Sequence, residues 1–559
     1  MKEITFGTLS DKIRATVEKH PGHGIGFIGP GQEQTFFSFP ELLKTSAGLL
    51  HALQQRGIGA GDLVILSLEK GEEIIPVLWA CLLGGIIPAL LQPPVSFTEY
   101  NPAAEKSEKV FQILNGPYVI RSHYHAGSWS VSRIPVERQI EFPELSGDPQ
   151  KALFHPGNPE DLALIQFSSG STGEPKGVRL SHRNILANIG DIVKGIRLEP
   201  DDISVNWMPL YHDMGLVGFH LTPSVVGVNQ YFVDPVDFVK NPSLWLDSLH
   251  RFRCTITACP NFGQLLINRY LSRKSDPDWN FSSLRIIFNG AEPISVPVMK
   301  AFLGQLAPFG LNPAAMLPAY GLAEATLAVT IPDIFQPAEV RTFLREPLLR
   351  QGIATEYTGD DPNTIELVNL GKPLDHSELK ITSGTGHFLE EGKVGNVWIR
   401  GNNVTSGYFG SPEHDDLLFS GTWMKTGDLG FISRGDLFIT GRSKDIIFVN
   451  GINYYAHDLE DIALRMEEIK TGKIIITGSF DESLGRDKVL VFLVGSPNDE
   501  MRLLCRKIKN RFSELLGLTT DLFIPIRSAD IPRTSSGKIQ RYKLTARFQK
   551  GGFEHLIQI

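Results

Sequence analysis

Cysteine is scarce in this chain. Cys81, Cys254, Cys259 and Cys505 are the only four in 559 residues, and none forms a CxxC pair. That argues against a disulfide framework and a thiolate metal site. It points to buried free thiols in a reducing, cytoplasmic compartment. Excess basic charge is also missing. The net charge is −8, so no nucleic-acid partner is expected, and any phosphate site has to be built from local groups. The opening MKEITFGTLSDKIRA holds no apolar run of signal-peptide type. Residues 74–91 reach the length of a minimal membrane span. Pro76, Gly84, Gly85 and Pro88 interrupt them, which predicts a buried helix, a Gly-Gly turn and a buried strand, and no stable membrane insertion. Repeats and low-complexity tracts are absent.

What is present is an ordinary globular balance, 42% hydrophobic and 21% charged, in a chain long enough for several domains. Helical periodicity over 11–19, 39–56, 182–194, 262–273 and 296–302 alternates with apolar runs at 63–68, 118–121, 162–167, 255–258 and 284–289. That alternation predicts α/β layers with mostly parallel sheets. Near Leu367 the texture changes to short β-type runs separated by glycine turns, a smaller β-rich subdomain. From Lys444 an α+β piece of about 115 residues begins, long enough to fold as a unit, with helices expected at 457–467 and 499–516. The stretch 441–445 is a candidate hinge.

Residues 166–180 read QFSSGSTGEPKGVRL. A strand runs into Ser168, Ser169, Gly170, Ser171, Thr172 and Gly173, and Lys176 closes the run. Glycines let backbone N–H groups converge on an anion, the hydroxyls add donors, and the lysine adds charge. The usual P-loop spacing and the GxSxG nucleophile elbow are both absent. A plain Ser/Gly surface loop has the same composition, but the flanking strand and helix favour a site. Farther on, Asn289-Gly290-Ala291-Glu292-Pro293 follows the apolar strand LRIIF. A glycine at a strand end lets a flat base approach the backbone.

SSGSTGEPKGV resembles the phosphate-binding signature of the adenylate-forming superfamily, which holds acyl- and aryl-CoA ligases, adenylation domains and luciferases. The resemblance implies that Asn289, Gly290, Ala291 and Glu292 hold adenine. Tyr320, between Ala319 and Gly321 in PAYGLAE, would stack on the base. Glu324, with Thr172, would hold Mg²⁺. Asp428, in WMKTGD, would bind the ribose hydroxyls. Arg442 would contact ribose or phosphate, with Lys444 at the hinge. Lys538, in PRTSSGKIQR, would be the catalytic lysine. A carboxylate attacking an anionic α-phosphate needs such a cation, because two charges about 4 Å apart repel by several kcal/mol at an effective dielectric near 20. Singly these are ordinary turns, a helix-face glutamate and a basic tail. Together five motifs stand in family order over residues 166–538.

The implied fold is a large N-terminal domain of αβαβα-type layered sheets with a β-rich subdomain (1–442), a hinge (443–445) and a mobile α+β domain (446–559). Within the superfamily, Trp207-Met208-Pro209-Leu210-Tyr211-His212-Asp213, the alanine before Glu324, and NGINYYAHDLE at 450–460 look like fatty acyl-AMP ligases. The last departs from the family at Ile452, where a basic residue is more frequent. His212 would lie near the substrate carboxylate; a hydrogen-bonded core histidine is the plain alternative. About forty residues at 332–369 do not read as regular core. In that branch an insertion here hinders rotation of the C-terminal domain. The acyl group then passes from the adenylate to the phosphopantetheine arm of an acyl carrier protein, not to CoA. The implied chemistry uses ATP, Mg²⁺ and a fatty acid. No carrier-domain serine motif is visible, so the carrier is separate or lies in a longer parent protein. An acyl-CoA ligase and a non-catalytic acyl- or nucleotide-binding regulator remain as alternatives.

Overall fold

The computed structural model describes residues 7–94, 96–97, 101–123, 126–168, 174–272, 278–411, 415, 418–466, 468–469, 473–533, 539–553 and 555–557. Local signals set where several helices begin. Thr8, Ser38 and Ser181 cap Leu9–Lys19, Phe39–Gln55 and His182–Ile196. In each, the side chain of the third helical residue, Asp11, Glu41 or Asn184, returns a bond to the cap's backbone N–H.

Residues 74–91 form the end of helix Gly71–Gly84, a left-handed Gly85 at φ 67°, and strand Ile87–Leu90. Among the described residues no helix is long and apolar enough to cross a membrane. Strand Ile87–Leu90 belongs to a four-stranded parallel sheet with Leu63–Ser67, Tyr118–Arg121 and Gln139–Glu141. A second sheet of seven strands runs in the order Met316–Pro318, Ile286–Asn289, Ile256–Ala258, Ile203–Asn206, Asn229–Val233, Gly24–Ile28, Gln34–Ser38. It is parallel except at its last pair. Helices pack on these sheets around one large core that includes Trp79, Phe219, Trp245 and Phe302.

An antiparallel sheet follows, built from Ser377–Thr382, Gly395–Gly401, Trp423–Ser433, Phe419–Ser420 and Asp436–Arg442. A single helical turn, Ser443–Asp445, leads from it to strand Ile446–Val449. Beyond, hairpin Ile446–Val449/Ile452–Tyr455 turns on Asn450 and Gly451, both at positive φ, as an Asn-Gly pair favours. Ile447, Leu459, Ile476, Val491 and Phe512 form a core separate from the large one.

The stretch 332–369 corrects a sequence expectation. It contains regular structure: strands Val340–Leu344 and Thr364–Val368 pair antiparallel. Phe343 and Leu348 are buried with Phe431 and Phe438 of the β-rich sheet. The reason the sequence hides this is electrostatic. The inward face reads Arg341, Phe343, Arg345, and both arginines are buried in ion pairs, Arg341 with Glu339 and Asp436, Arg345 with Asp458. Hydropathy alternation scores those positions as exposed.

Candidate active site

Parallel strands deliver their following loops to one edge of a sheet, where α/β proteins place ligands. Here that edge opens into a cavity of about 1290 Å³. Its front is polar, with Lys176, Tyr320, Glu324, Tyr408, Arg442 and Lys444. Its back is apolar, with Ile192, Ile196, Leu198, Phe219, Ile256 and Phe288. Arg533, Ile539, Arg541 and Tyr542 of the C-terminal piece also line it.

Asp428 organises the front. It stands opposite Arg442 in adjacent antiparallel strands and is buried. Tyr320 Oη donates to Asp428 Oδ2 at 2.7 Å, and Arg442 Nε donates to Oδ1 at 3.0 Å. The carboxylate beside it raises the Arg442 pKa, against the cost of burial. Burial first, and then the Asp428 charge, push the Tyr320 phenol well above its ordinary value, so it stays a neutral donor. A carboxylate held by a phenol and a guanidinium has its orientation fixed before any ligand arrives.

Across the cavity, Tyr408 Oη donates to Glu324 Oε1 at 2.7 Å. Lys176 Nζ lies 4.9 Å from the centre of the Tyr408 ring, a cation–π distance. Burial lowers the Lys176 pKa; the Glu324 charge offsets this and Lys444 adds to it. Lys176 opens strand Lys176–Ser181, paired in register with Ser168 at the end of Leu162–Ser168. The connecting residues Ser169, Gly170, Ser171, Thr172 and Gly173 lie outside the described residues, but both ends of their loop are on the cavity wall. Lys106, on helix Pro102–Ile113, reaches the same place. Its Nζ donates to the Phe167 carbonyl at 3.3 Å, and burial lowers its pKa to about 8.

His212 lines the cavity between Tyr211 and Asp213, with Nδ1 2.7 Å from Asp213 Oδ1. The chain is tightly folded here: a Cβ on Gly215 would stand 2.2 Å from the Pro209 carbonyl oxygen. Ala291, Ala319 and Gly321 are also on the wall. Asn289, Gly290, Glu292 and Asp428 are not among its lining residues. A Cβ on Gly290 would come within 2.6 Å of the Ala319 oxygen, and Ala291 takes φ 69°, so the two strand ends meet backbone to backbone. The Asn289 side chain is fully buried with neither amide atom partnered. Glu292 accepts from the Phe262 N–H at 2.9 Å.

Lys538 lies outside the described residues. The residues that flank its segment, Arg533 and Ile539, bridge to each other as antiparallel neighbours and both line the cavity. Nearby, Arg541 Nη2 donates to Glu460 Oε2 at 2.6 Å, and Ser295 Oγ donates to Asp461 Oδ1 at 3.1 Å. The ribbon at 340–368 also reaches the C-terminal piece. Arg345 forks onto Asp458, Nε to Oδ2 at 3.0 Å and Nη2 to Oδ1 at 2.9 Å, with both side chains at most 4% exposed. Sequence reasoning missed Tyr408, Lys106 and Arg541 at this cavity. Only the run SGYFG after a β-rich strand hinted at the first.

Residues 13–409 match the family model of AMP-binding enzymes. The chain is 30% identical to a putative acyl-CoA synthetase of Caulobacter vibrioides, over 92% of this chain and 91% of that protein. It is 28% identical to the medium-chain-fatty-acid–[acyl-carrier-protein] ligase JamA of Moorena producens, over 99% of this chain and 96% of the relative. Among solved structures it is similar to one from a study of fatty acyl-adenylate ligases of E. coli and L. pneumophila. That likeness has a TM-score of 0.89 and 29% identity, covering 99% of both chains.

Proposed function

The chain belongs to the family of AMP-binding enzymes, and on that premise we propose that it activates a fatty acid with ATP and passes the acyl group to a carrier protein. The observation that carries this is a single cavity with two halves. A polar front is preset by Asp428, Tyr320 and Arg442, and the apolar lining of Ile192, Ile196, Leu198, Phe219, Ile256 and Phe288 suits an alkyl chain. An acyl-adenylate has the same two halves. The names of the carrier-protein ligase and the fatty acyl-adenylate ligases it resembles support the same reading.

In the first step the fatty carboxylate oxygen attacks the α-phosphorus of ATP, the bond to the β-phosphate oxygen breaks, and pyrophosphate leaves. We assign Asp428 to the ribose hydroxyls, Arg442 to ribose or phosphate, and Tyr320 to the base. Lys176 and residues 168–173 hold the outer phosphates. His212 faces the carboxylate, and Lys538 offsets charge as the α-phosphorus becomes five-coordinate. Glu324 fits Mg²⁺ as one carboxylate ligand, since nucleotide-bound Mg²⁺ is held by one or two carboxylates plus phosphates. Among the described residues no cluster of three or more ligating groups offers an all-protein cage. Glu324 would hold Mg²⁺ there, and the ion would supply neutralisation of phosphate charge. In the second step the phosphopantetheine thiolate attacks the acyl carbonyl and AMP leaves.

We divide the chain into 1–442, a hinge at 443–445 and 446–559. The Arg345–Asp458 pair, together with Leu349 seated in the core of the C-terminal piece, supports a clamped small domain and thus a carrier over CoA as acceptor. The likeness to a putative acyl-CoA synthetase favours a second reading, a CoA ligase. Incubation with fatty acid, ATP and either CoA or holo-carrier separates them: robust acyl-CoA formation would overturn the carrier assignment.

A further inference from the structure

The apolar half of the cavity is not apolar throughout. Ser204 lies on its wall, is 1% exposed, and its hydroxyl has no hydrogen-bond partner. Other buried polar atoms lack partners too, but among the described residues none of them belongs to a lining residue of this cavity.

The sheet tells how deep Ser204 sits. It is the second residue of strand Ile203–Asn206 and pairs in register with Gln230 on one side and Ile256 on the other. Cavity residues follow the C-terminal ends of the sheet's strands: Tyr211 and His212 after this one, Ala291 after Ile286–Asn289 and Ala319 after Met316–Pro318. Ser204 stands away from that end, about 7 Å below Asn206 at 3.3 Å per residue. The lining residues beside it in register or sequence, Ile256, Leu198 and Ile196, are uncharged. Arg285, which donates to the Ile196 carbonyl at 2.7 Å and to Asp202 Oδ1 at 2.8 Å, is not among the lining residues.

We propose that the acid activated here carries a neutral hydrogen-bonding oxygen, a hydroxyl or keto group, toward the end of its chain remote from the carboxylate, and that Ser204 recognises it. The inference rests on reading this cavity as the acyl-adenylate site. A serine hydroxyl offers one donor and two acceptor positions. A saturated chain filling the chamber leaves all three unpaired in an apolar wall, whereas an oxygenated chain pairs them. Sites built around a hydrogen bond discriminate far more strongly against the analogue lacking it than alkyl pockets do against a missing methylene. A carboxylate at that end is disfavoured, since among the described residues no cation stands beside Ser204 on the cavity wall.

The test uses the full chain and pyrophosphate release, with a series of straight-chain acids and their ω-hydroxy, (ω−1)-hydroxy and (ω−1)-keto counterparts. At the best chain length an oxygenated acid is expected to exceed its alkyl parent by about tenfold in kcat/KM. Ser204→Ala reverses that preference, and Ser204→Thr, which keeps the hydroxyl, retains it. The ratio of two substrates on one enzyme is insensitive to loss of folded protein. The wild-type ratio alone decides the matter should Ser204→Ala fold poorly. Alkyl acids equal to or better than every oxygenated acid, as when a resident water satisfies Ser204, overturn the proposal and leave fatty-acid activation standing. No pyrophosphate release with any acid overturns both.

Discussion

Arg345→Met should loosen the C-terminal domain and open the enzyme to CoA. The Arg345–Asp458 pair is bidentate and nearly inaccessible to water, with a further contact from Nη1 to the Pro362 carbonyl at 3.4 Å. Replacing one partner of such a pair leaves the other charge buried without compensation, a cost of about 3–5 kcal/mol. Methionine keeps much of the side-chain volume, so little of that cost is packing. Asp458 lies in the first turn of helix Ala456–Leu464 in the C-terminal piece, and undocking that piece returns it to water. The penalty is therefore relieved by domain movement, and the docked-to-undocked ratio should fall roughly 10²- to 5 × 10³-fold. Fluorescence transfer between dyes on the two pieces reads the equilibrium, and acyl-CoA formation reads the consequence. The double variant Arg345→Met with Asp458→Leu should restore docking. Unchanged docking and unchanged CoA transfer in the single variant would refute the clamp, as would a failure of CoA transfer to rise when residues 335–362 are shortened.

Lys538→Ala should lower adenylate formation by at least a hundredfold while ATP affinity by calorimetry changes little; lost ATP binding with an intact chemical step contradicts its role. Asp428→Asn keeps the shape but weakens the hold on Arg442 and Tyr320, and should raise the KM for ATP about tenfold or more with a smaller change for the fatty acid. Docking should also depend on pH through Asp461. Burial lifts its pKa from 3.8 to about 7; Asp458 and Glu460 reinforce this, while the Ser295 hydroxyl and Arg465 oppose it. The docked form thus holds the proton that the undocked form loses, so docking weakens as pH rises from about 4 to 7 and then levels off. Asp461→Asn should flatten that profile in the fluorescence assay; an unaltered profile contradicts it.

The sequence carried the α/β alternation well because strands buried on both faces are short apolar runs, as at 118–121, and because serine and threonine caps mark helix starts. The front of the site was legible as motifs, since Tyr320, Glu324, Asp428 and Arg442 each sit in a short recognisable run, and the fold gathers them on one cavity or directly behind it. Pairings between distant segments were not legible. Tyr408 meets Glu324 across 84 positions and Arg345 meets Asp458 across 113. Nothing in a local window distinguishes an arginine destined for a buried ion pair from one on the surface. The ribbon at 340–368 was hidden for that reason, and Ser204 because an orphaned hydroxyl is a property of the packed chamber alone.

The central claim is most directly tested by mass spectrometry of the reaction of this chain with a fatty-acid panel, ATP and Mg²⁺, without any thiol acceptor. Acyl-AMP and pyrophosphate in equal amounts, formed from at least one acid, are the expected products. Unchanged ATP and acid at saturating concentrations, or ADP and phosphate in place of AMP chemistry, would contradict it.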